Sequence, residues 1–200
     1  MTTGDSNALT TASEGINAPE VIEPEIPTER TLELSAKLRT LRPEERQILV
    51  GGISGVVDIS AAPLQGMLMS DLKLRGAKLT QVCLACSDLT AGDLRGIQGM
   101  QLSGVCGTFR AVNFSGADLR DALFTGADLT DAKFVGANLT NAILTGANVK
   151  GALFISAVLK GATLTGLQNW RDAVWSYAVL DGAIIPPEMK EFISAKAMLQ

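Results

Sequence analysis

The sequence predicts a solenoid, and three observations carry that prediction. From Ala117 to Ala162 every fifth residue is Ala, and two places after each stands a large apolar residue: Leu119, Phe124, Leu129, Phe134, Leu139, Leu144, Val149, Phe154, Leu159 and Leu164. A period of five matches neither the ~3.6 of a helix nor the 2 of a strand, so it marks an internal repeat with one buried residue per unit. Second, the phase persists backwards through Phe114, Phe109, Leu94, Leu89, Leu84, Leu79, Leu74, Met69, Leu64 and Ile59. Third, the chain is rich in Gly, with 20 in 200 residues, and poor in aromatics. A backbone that must turn repeatedly has that composition.

Each element follows in chain order. Residues 1–27 mix Thr, Ser, Asn, Pro and Glu with few large apolar groups. Such a stretch does not offset chain entropy by burial and reads as a disordered acidic arm. Residues 28–52 read as a helical cap. Thr28 caps a helix running to about Leu41, with Leu34, Leu38 and Leu41 on one face. Pro43 with Glu44 and Glu45 starts a second helix, which ends at Gly51-Gly52. Two short helices before a solenoid cover its open first coil. Residues 53–185 are the repeat body. Gly99 and Gly104 occupy two of its large positions, which predicts a bulge or a small excursion there. After Leu164 the phase slips by one, to Trp175, Leu180 and Ile185, and a loop around Gly166–Trp170 absorbs the extra residue. Pro186-Pro187 ends the repeats, and residues 186–200 read as a C-terminal helix carrying Met189, Phe192, Ile193 and Leu199.

The units Ala117-Asp118-Leu119-Arg120-Asp121, Ala127-Asp128-Leu129-Thr130-Asp131 and Ala137-Asn138-Leu139-Thr140-Asn141 resemble the A(D/N)LXX signature of pentapeptide repeat proteins, over roughly residues 55–185. The resemblance implies an all-β solenoid in the form of a right-handed quadrilateral β-helix, four pentapeptides to a coil of about 20 residues, with large residues filling the interior. Stacking at that period makes Phe114, Phe134 and Phe154 one interior ladder and puts Thr125, Thr145 and Thr165 on one outer face. Asp or Asn alternates with Gly after the large residue, which suggests two turn types alternating around the square. The Asp and Asn residues are thereby mainly structural.

Chemistry is limited by what is missing. Histidine is absent, which removes His-based triads, the usual neutral-pH proton shuttle and His metal ligands. Acidic pairs such as Asp118 and Asp128 repeat regularly instead of converging on a pocket, and catalysis needs convergence. No catalytic, cofactor or metal residues are assigned, and an enzyme is not expected. Cys83, Cys86 and Cys106 admit three accounts. The first is three unreactive thiols at tolerant positions. The second is a redox pair of Cys86 and Cys106, stacked one coil apart if residues 96–108 add nothing to the period. The third is a soft metal, which lacks a fourth ligand. Trp170, Trp175 and Tyr177, with Phe192, cluster near the phase slip. They either close the solenoid end or form a partner or self-association surface. Arg110, Arg120, Lys150 and Lys160 fall at outward positions and read either as a modest basic edge or, favoured because the body is neutral, as solvated side chains.

Residues 1–50 hold 5 basic and 9 acidic residues, residues 51–200 hold 12 of each, and the repeat body carries no net charge. That offers no electrostatic footprint for nucleic acid. The longest apolar candidate, Ile48 to Met69, is interrupted by Asp58, Pro63 and several Gly, and its longest clean stretch of about ten residues falls short of the ~20 that a membrane span needs. Three Cys without a secretory signal place the chain in the reducing cytoplasm. The resulting expectation is a non-enzymatic rod that binds another protein as a scaffold or regulator. Within the resembled family, gyrase-binding proteins imitate duplex DNA and dimerise through their C-terminal end, and many other members come from cyanobacteria. DNA mimicry of gyrase is the alternative here, disfavoured because a mimic is strongly acidic and this rod is neutral.

Overall fold

The computed structural model describes residues 26–42, 44–47 and 56–197. The acidic arm before residue 26 and the expected helix end at Gly51-Gly52 lie outside them, as does Leu199. From Asp58 onward the chain is a quadrilateral β-helix. Parallel single-residue bridges join each side of one coil to the same side of the next at an offset of 20 residues: Asp58 to Lys78, Pro63 to Cys83, Leu68 to Asp88, Lys73 to Asp93, and so on upward. Four sides of five residues make one coil. About six coils at ~4.8 Å give a rod roughly 30 Å long.

Each corner is made the same way. Every fifth residue from Ala61 to Gly166 has a positive φ, between 54° and 69°. Gly fills about half of these sites, and Ala, Asp, Asn, Gln, Cys and Ser fill the rest. The alternation in the sequence is therefore one of residue type, and the expectation of two turn types differing in backbone conformation is corrected at this position. A non-Gly residue held left-handed costs roughly 1–2 kcal/mol. The ladder offsets it with two sets of bonds at each side: Leu119 N–H donates to Asn138 O at 2.7 Å and Asp118 N–H to Ile97 O at 2.9 Å.

The interior is filled by apolar side chains. Phe114, Phe134 and Phe154 are fully buried and stack face to face, with centroids 5.1 and 4.9 Å apart. Trp175 continues the stack above Phe154 at 4.4 Å. From Ala117 to Ala162 the Ala that directly follows each corner residue is also buried. No coil is interrupted at the glycine-rich section. Gln98 bridges Asp118 and Ser103 bridges Leu123 in unbroken register, which corrects the expected bulge. Neighbouring side chains fill the space instead: a Cβ at Gly104 would lie 2.8 Å from two atoms of the Phe109 ring and 3.0 Å from Phe124. At Gly99 it would meet Ile97 at 3.1 Å and Leu119 at 3.2 Å.

The two ends differ. The N-terminal helix Glu29–Thr40 is capped by Thr28, whose hydroxyl accepts the Thr31 N–H at 3.1 Å, and buries Leu38. It and the helical residues 44–47 serve the first coil's open edge. Arg39 donates to Pro63 O, Arg46 donates to Leu68 O and, at 2.7 Å, to Leu38 O, and Gln47 Oε1 accepts Lys73 N–H at 2.8 Å. Pro63 suits this edge because it has no N–H to leave unpaired.

At the other end, the bridge offset changes from 20 at Asn148–Gln168 to 21 at Leu153–Val174. The extra residue sits in a short 3₁₀ turn, Trp170–Asp172, entered through left-handed Asn169, slightly later than the sequence suggests. The C-terminal helix Pro187–Ala197 then folds over this coil and buries Met189.

Candidate interaction surface

The first outward position of each unit explains its preference for Asp or Asn. The Asp128 carboxylate accepts the Thr130 N–H at 3.0 Å, and Asn138 Oδ1 accepts the Thr140 N–H at 3.1 Å. Asp88, Asp93, Asn113, Asp118 and Asn148 bond the amide two residues on in the same manner. Each side chain closes a local turn on its own backbone. Arg95 and Arg120 add bidentate contacts to Asp93 and Asp118. Their guanidinium hydrogen bonds hold both carboxyls below the usual carboxylate range, against a smaller opposing effect of burial. For Asp128 burial is the largest single influence and acts upward, but bonds from Thr130 and Arg110 together outweigh it. These carboxylates serve the turns and do not converge on a common point.

Thr130, one place after the large Leu129, is buried. Its hydroxyl bonds Asp128 at 2.5 Å and accepts from Asn148 Nδ2 at 3.0 Å. Reading 20 residues ahead, from Asp128 to Asn148, is the signal that would have found this network.

The aromatic cluster separates into an interior and an exterior part. Trp170 and Trp175 are buried. The Trp175 indole donates to Trp170 O at 2.9 Å, Phe192 of the C-terminal helix meets the Trp170 ring edge-on at 5.4 Å, and Arg171 lies 4.1 Å over its face. Burial takes both tryptophans out of the partner or self-association surface proposed for them with Tyr177 and Phe192, and they close the rod end. Phe192 is half-buried against them. Tyr177, at 77% exposure, is the member left to solvent.

Cys86 and Cys106 are free, exposed and occupy the same corner on successive coils, while Cys83 is half-buried on the same side as Cys86, three residues before it. Among the described residues no group of three or more Cys, Asp or Glu is arranged to hold a metal. No helix there is long and apolar enough to cross a membrane. One small cavity, of about 170 Å³, lies between Thr28, Arg30, Thr31, Leu34, Val56 and Asp58, where the N-terminal helix meets the first coil.

The four sides of the rod differ in charge, a pattern visible only once outward positions are sorted by coil. Three sides carry Asp, Arg or Lys in most coils. The fourth, built on Leu84, Gly104, Phe124, Leu144 and Leu164, carries none from residue 83 to residue 166. Its first outward column is Cys83, Ser103, Leu123, Ile143 and Thr163, each bridged to the next. Beside it runs Ala85, Val105, Thr125, Thr145 and Thr165, with the Thr145 and Thr165 hydroxyls 3.3 Å apart. Its corner is Cys86, Cys106, Gly126, Gly146 and Gly166, so no side chain larger than Cys rises there.

A family model described as pentapeptide repeats matches in eight copies, over residues 109–146 and 132–166. Among curated proteins no sequence matches. Similar solved structures include HetL, a pentapeptide repeat protein involved in heterocyst differentiation regulation from the cyanobacterium Nostoc sp. strain PCC 7120. It is 19% identical over 72% of this chain and 96% of its own, with a TM-score of 0.32. Full-length QnrB1, a plasmid-mediated fluoroquinolone resistance protein, is 14% identical over 70% of this chain and 94% of its own, with a TM-score of 0.30. A pentapeptide repeat protein from the Arabidopsis thaliana thylakoid lumen is 24% identical over 49% of this chain and 65% of its own, with a TM-score of 0.27.

Proposed function

We propose that this chain, whose residues 109–166 match a model of pentapeptide repeats, is a non-enzymatic, protein-binding scaffold of the cytoplasm whose contact surface is the uncharged side of the rod. The observation that carries this reading is the charge-free run of Ser103, Leu123, Ile143 and Thr163 beside Thr125, Thr145 and Thr165. Desolvating such a plane against a partner strands no ion. The hydroxyls supply hydrogen bonds, and the rigid ladder limits the entropy lost on association. A packed interior leaves no concave site for a small substrate in the rod itself.

The alternative, imitation of duplex DNA to bind gyrase, requires a surface dominated by negative charge. Residues 58–185 hold equal numbers of acidic and basic residues, and several pair locally, as Arg110 with Asp128 and Arg120 with Asp118. Self-association through the C-terminal end is a further partner option, because no coil follows Ile184 among the described residues and Tyr177 and Ile184 are exposed there. The experiment is a salt series on the purified protein with its captured partner, beside a gyrase supercoiling assay. A scaffold contact is expected to change little between ~50 and 200 mM salt, and supercoiling is expected to be unaffected. Steep loss of binding with salt, or inhibition or protection of gyrase at micromolar protein, overturns this reading in favour of mimicry.

A further inference from the structure

We propose that Cys86 and Cys106 form a reversible thiol–disulfide modification site, oxidised by a low-molecular-weight disulfide of the glutathione class. Both thiols are free and exposed, whereas cysteine that serves packing is among the most buried of residues. Both stand at left-handed corners, with φ of 55° and 54°, in a column otherwise made of Gly66, Gly126, Gly146 and Gly166. Packing does not account for a side chain at either position.

The register that brings them together is fixed on both sides. Cys86 N–H donates to Val105 O and Cys106 N–H to Thr125 O, each at 2.9 Å, and Cys83 bridges Ser103 next to them. Parallel neighbours at the usual spacing of about 4.8 Å have Cα atoms inside the disulfide range of roughly 4.4–6.8 Å. Cys106 Sγ lies on the side of Gly126, 3.7 Å from where a Cβ would stand on that residue. A χ1 rotation carries it back toward Cys86. Side chains leaving parallel corners do not face each other ideally, so the bond is reducible, as suits a modification more than a permanent staple.

The chemistry balances as two exchanges. One cysteine thiolate attacks a sulfur of glutathione disulfide, forming a mixed disulfide and expelling glutathione thiolate, which takes up a proton. The second cysteine loses its proton and attacks the protein sulfur of that mixed disulfide, forming the Cys86–Cys106 bond and expelling a second glutathione. The protein loses two electrons and two protons, and the glutathione disulfide gains both.

Full-length protein equilibrated with glutathione disulfide and digested with trypsin without reduction tests the site. Cleavage after Lys78, Arg95 and Arg110 leaves Cys83 and Cys86 in peptide 79–95 and Cys106 in peptide 96–110. The expected result is a covalent 79–95 to 96–110 species within one chain, lost on excess reduced glutathione. It persists in Cys83→Ser and disappears in both Cys86→Ser and Cys106→Ser. Three free thiols at equilibrium, a Cys83–Cys86 bond inside peptide 79–95, a link that needs Cys83, a link between two chains, or one that reduced glutathione does not reverse would each overturn the proposal.

Discussion

A methyl group added at Gly104 tests the interior more sharply than any deletion does. Gly104 stands where the repeat calls for a large residue, and the Phe109 ring of the next side occupies that volume. The added Cβ would lie 2.8 Å from Cε2 and Cζ of Phe109 and 3.0 Å from Cδ1 of Phe124, closer than such contacts ordinarily come. Gly104 is not left-handed, so backbone strain does not enter and the penalty is steric. Phe109 is itself fully buried and held edge-on to Phe124 at 5.4 Å, so its ring has nowhere to retreat. Overpacking of this kind costs about 1–3 kcal/mol, which lowers the thermal midpoint of a domain this size by roughly 4–12 °C. Phe109→Leu alone loses buried volume and costs about 1–2 kcal/mol. In the double variant the shorter side chain vacates the space that the methyl takes. The pair is therefore expected to be more stable than the sum of the singles by about 1–2 kcal/mol. The assay is a double-mutant cycle by urea or thermal unfolding followed by circular dichroism. Strict additivity, or a Gly104→Ala variant as stable as the parent, would refute the claim that Phe109 fills the gap.

Four further outcomes follow. Phe134→Ala removes the middle ring of the Phe114–Phe134–Phe154 stack and is expected to cost ~3–5 kcal/mol, while Val135→Ala, half-exposed on the outer side, stays within ~0.5 kcal/mol; equal midpoints would contradict the register. Gly151→Ala drives a methyl into the Asp131 carboxylate, whereas Gly136→Ala meets nothing and bears only the left-handed penalty of ~1–2 kcal/mol, so the first should unfold at clearly lower temperature and be partly rescued by Asp131→Ala. Asp93, Asp118 and Asp128 have lowered pKa values; such groups contribute stability above the ordinary carboxylate pKa of about 4 and lose it as pH falls through the folded value. Midpoints should hold from pH 7 to 5 and drop below 4, less steeply in Asp118→Asn. Arg46→Met deletes charge-assisted bonds to Leu38 O and Leu68 O, worth about 1.5–3 kcal/mol each in buried settings, and hydrogen exchange should accelerate in the first coil while the Phe134 coil stays protected.

The period of five and its small–large alternation were enough to read the rod from sequence, because each residue of the unit has one environment whatever its coil. What the period does not encode is substitution between neighbours. Gly104 looks like a defect until the Phe109 ring is placed, and Thr130 looks like surface until Asp128 and Asn148 close over it. The Trp170–Asp172 turn likewise takes its place from the stacking of Trp175 on Phe154, a contact between coils. Of the candidate site, the Cys86–Cys106 column follows from counting 20 residues. The burial of Trp175 follows from its large position in the repeat, but that of Trp170 does not, since Phe192 of the helix that starts at residue 187 packs on it. The uncharged side was present in the sequence and emerges only when outward positions are sorted by coil.

That side is where the functional claim is tested most directly. Full-length protein carrying Thr145→Lys places one charge in the middle of it, and Val135→Lys places the same charge on the opposite side. Partner proteins captured from an extract of the native host are identified and quantified by mass spectrometry for the parent and both variants, with folding of each checked by circular dichroism. The account predicts a specific partner retained by Val135→Lys and reduced at least tenfold by Thr145→Lys, the loss expected when an unpaired charge is buried in an interface core. A partner retained by Thr145→Lys and lost with Val135→Lys would contradict it.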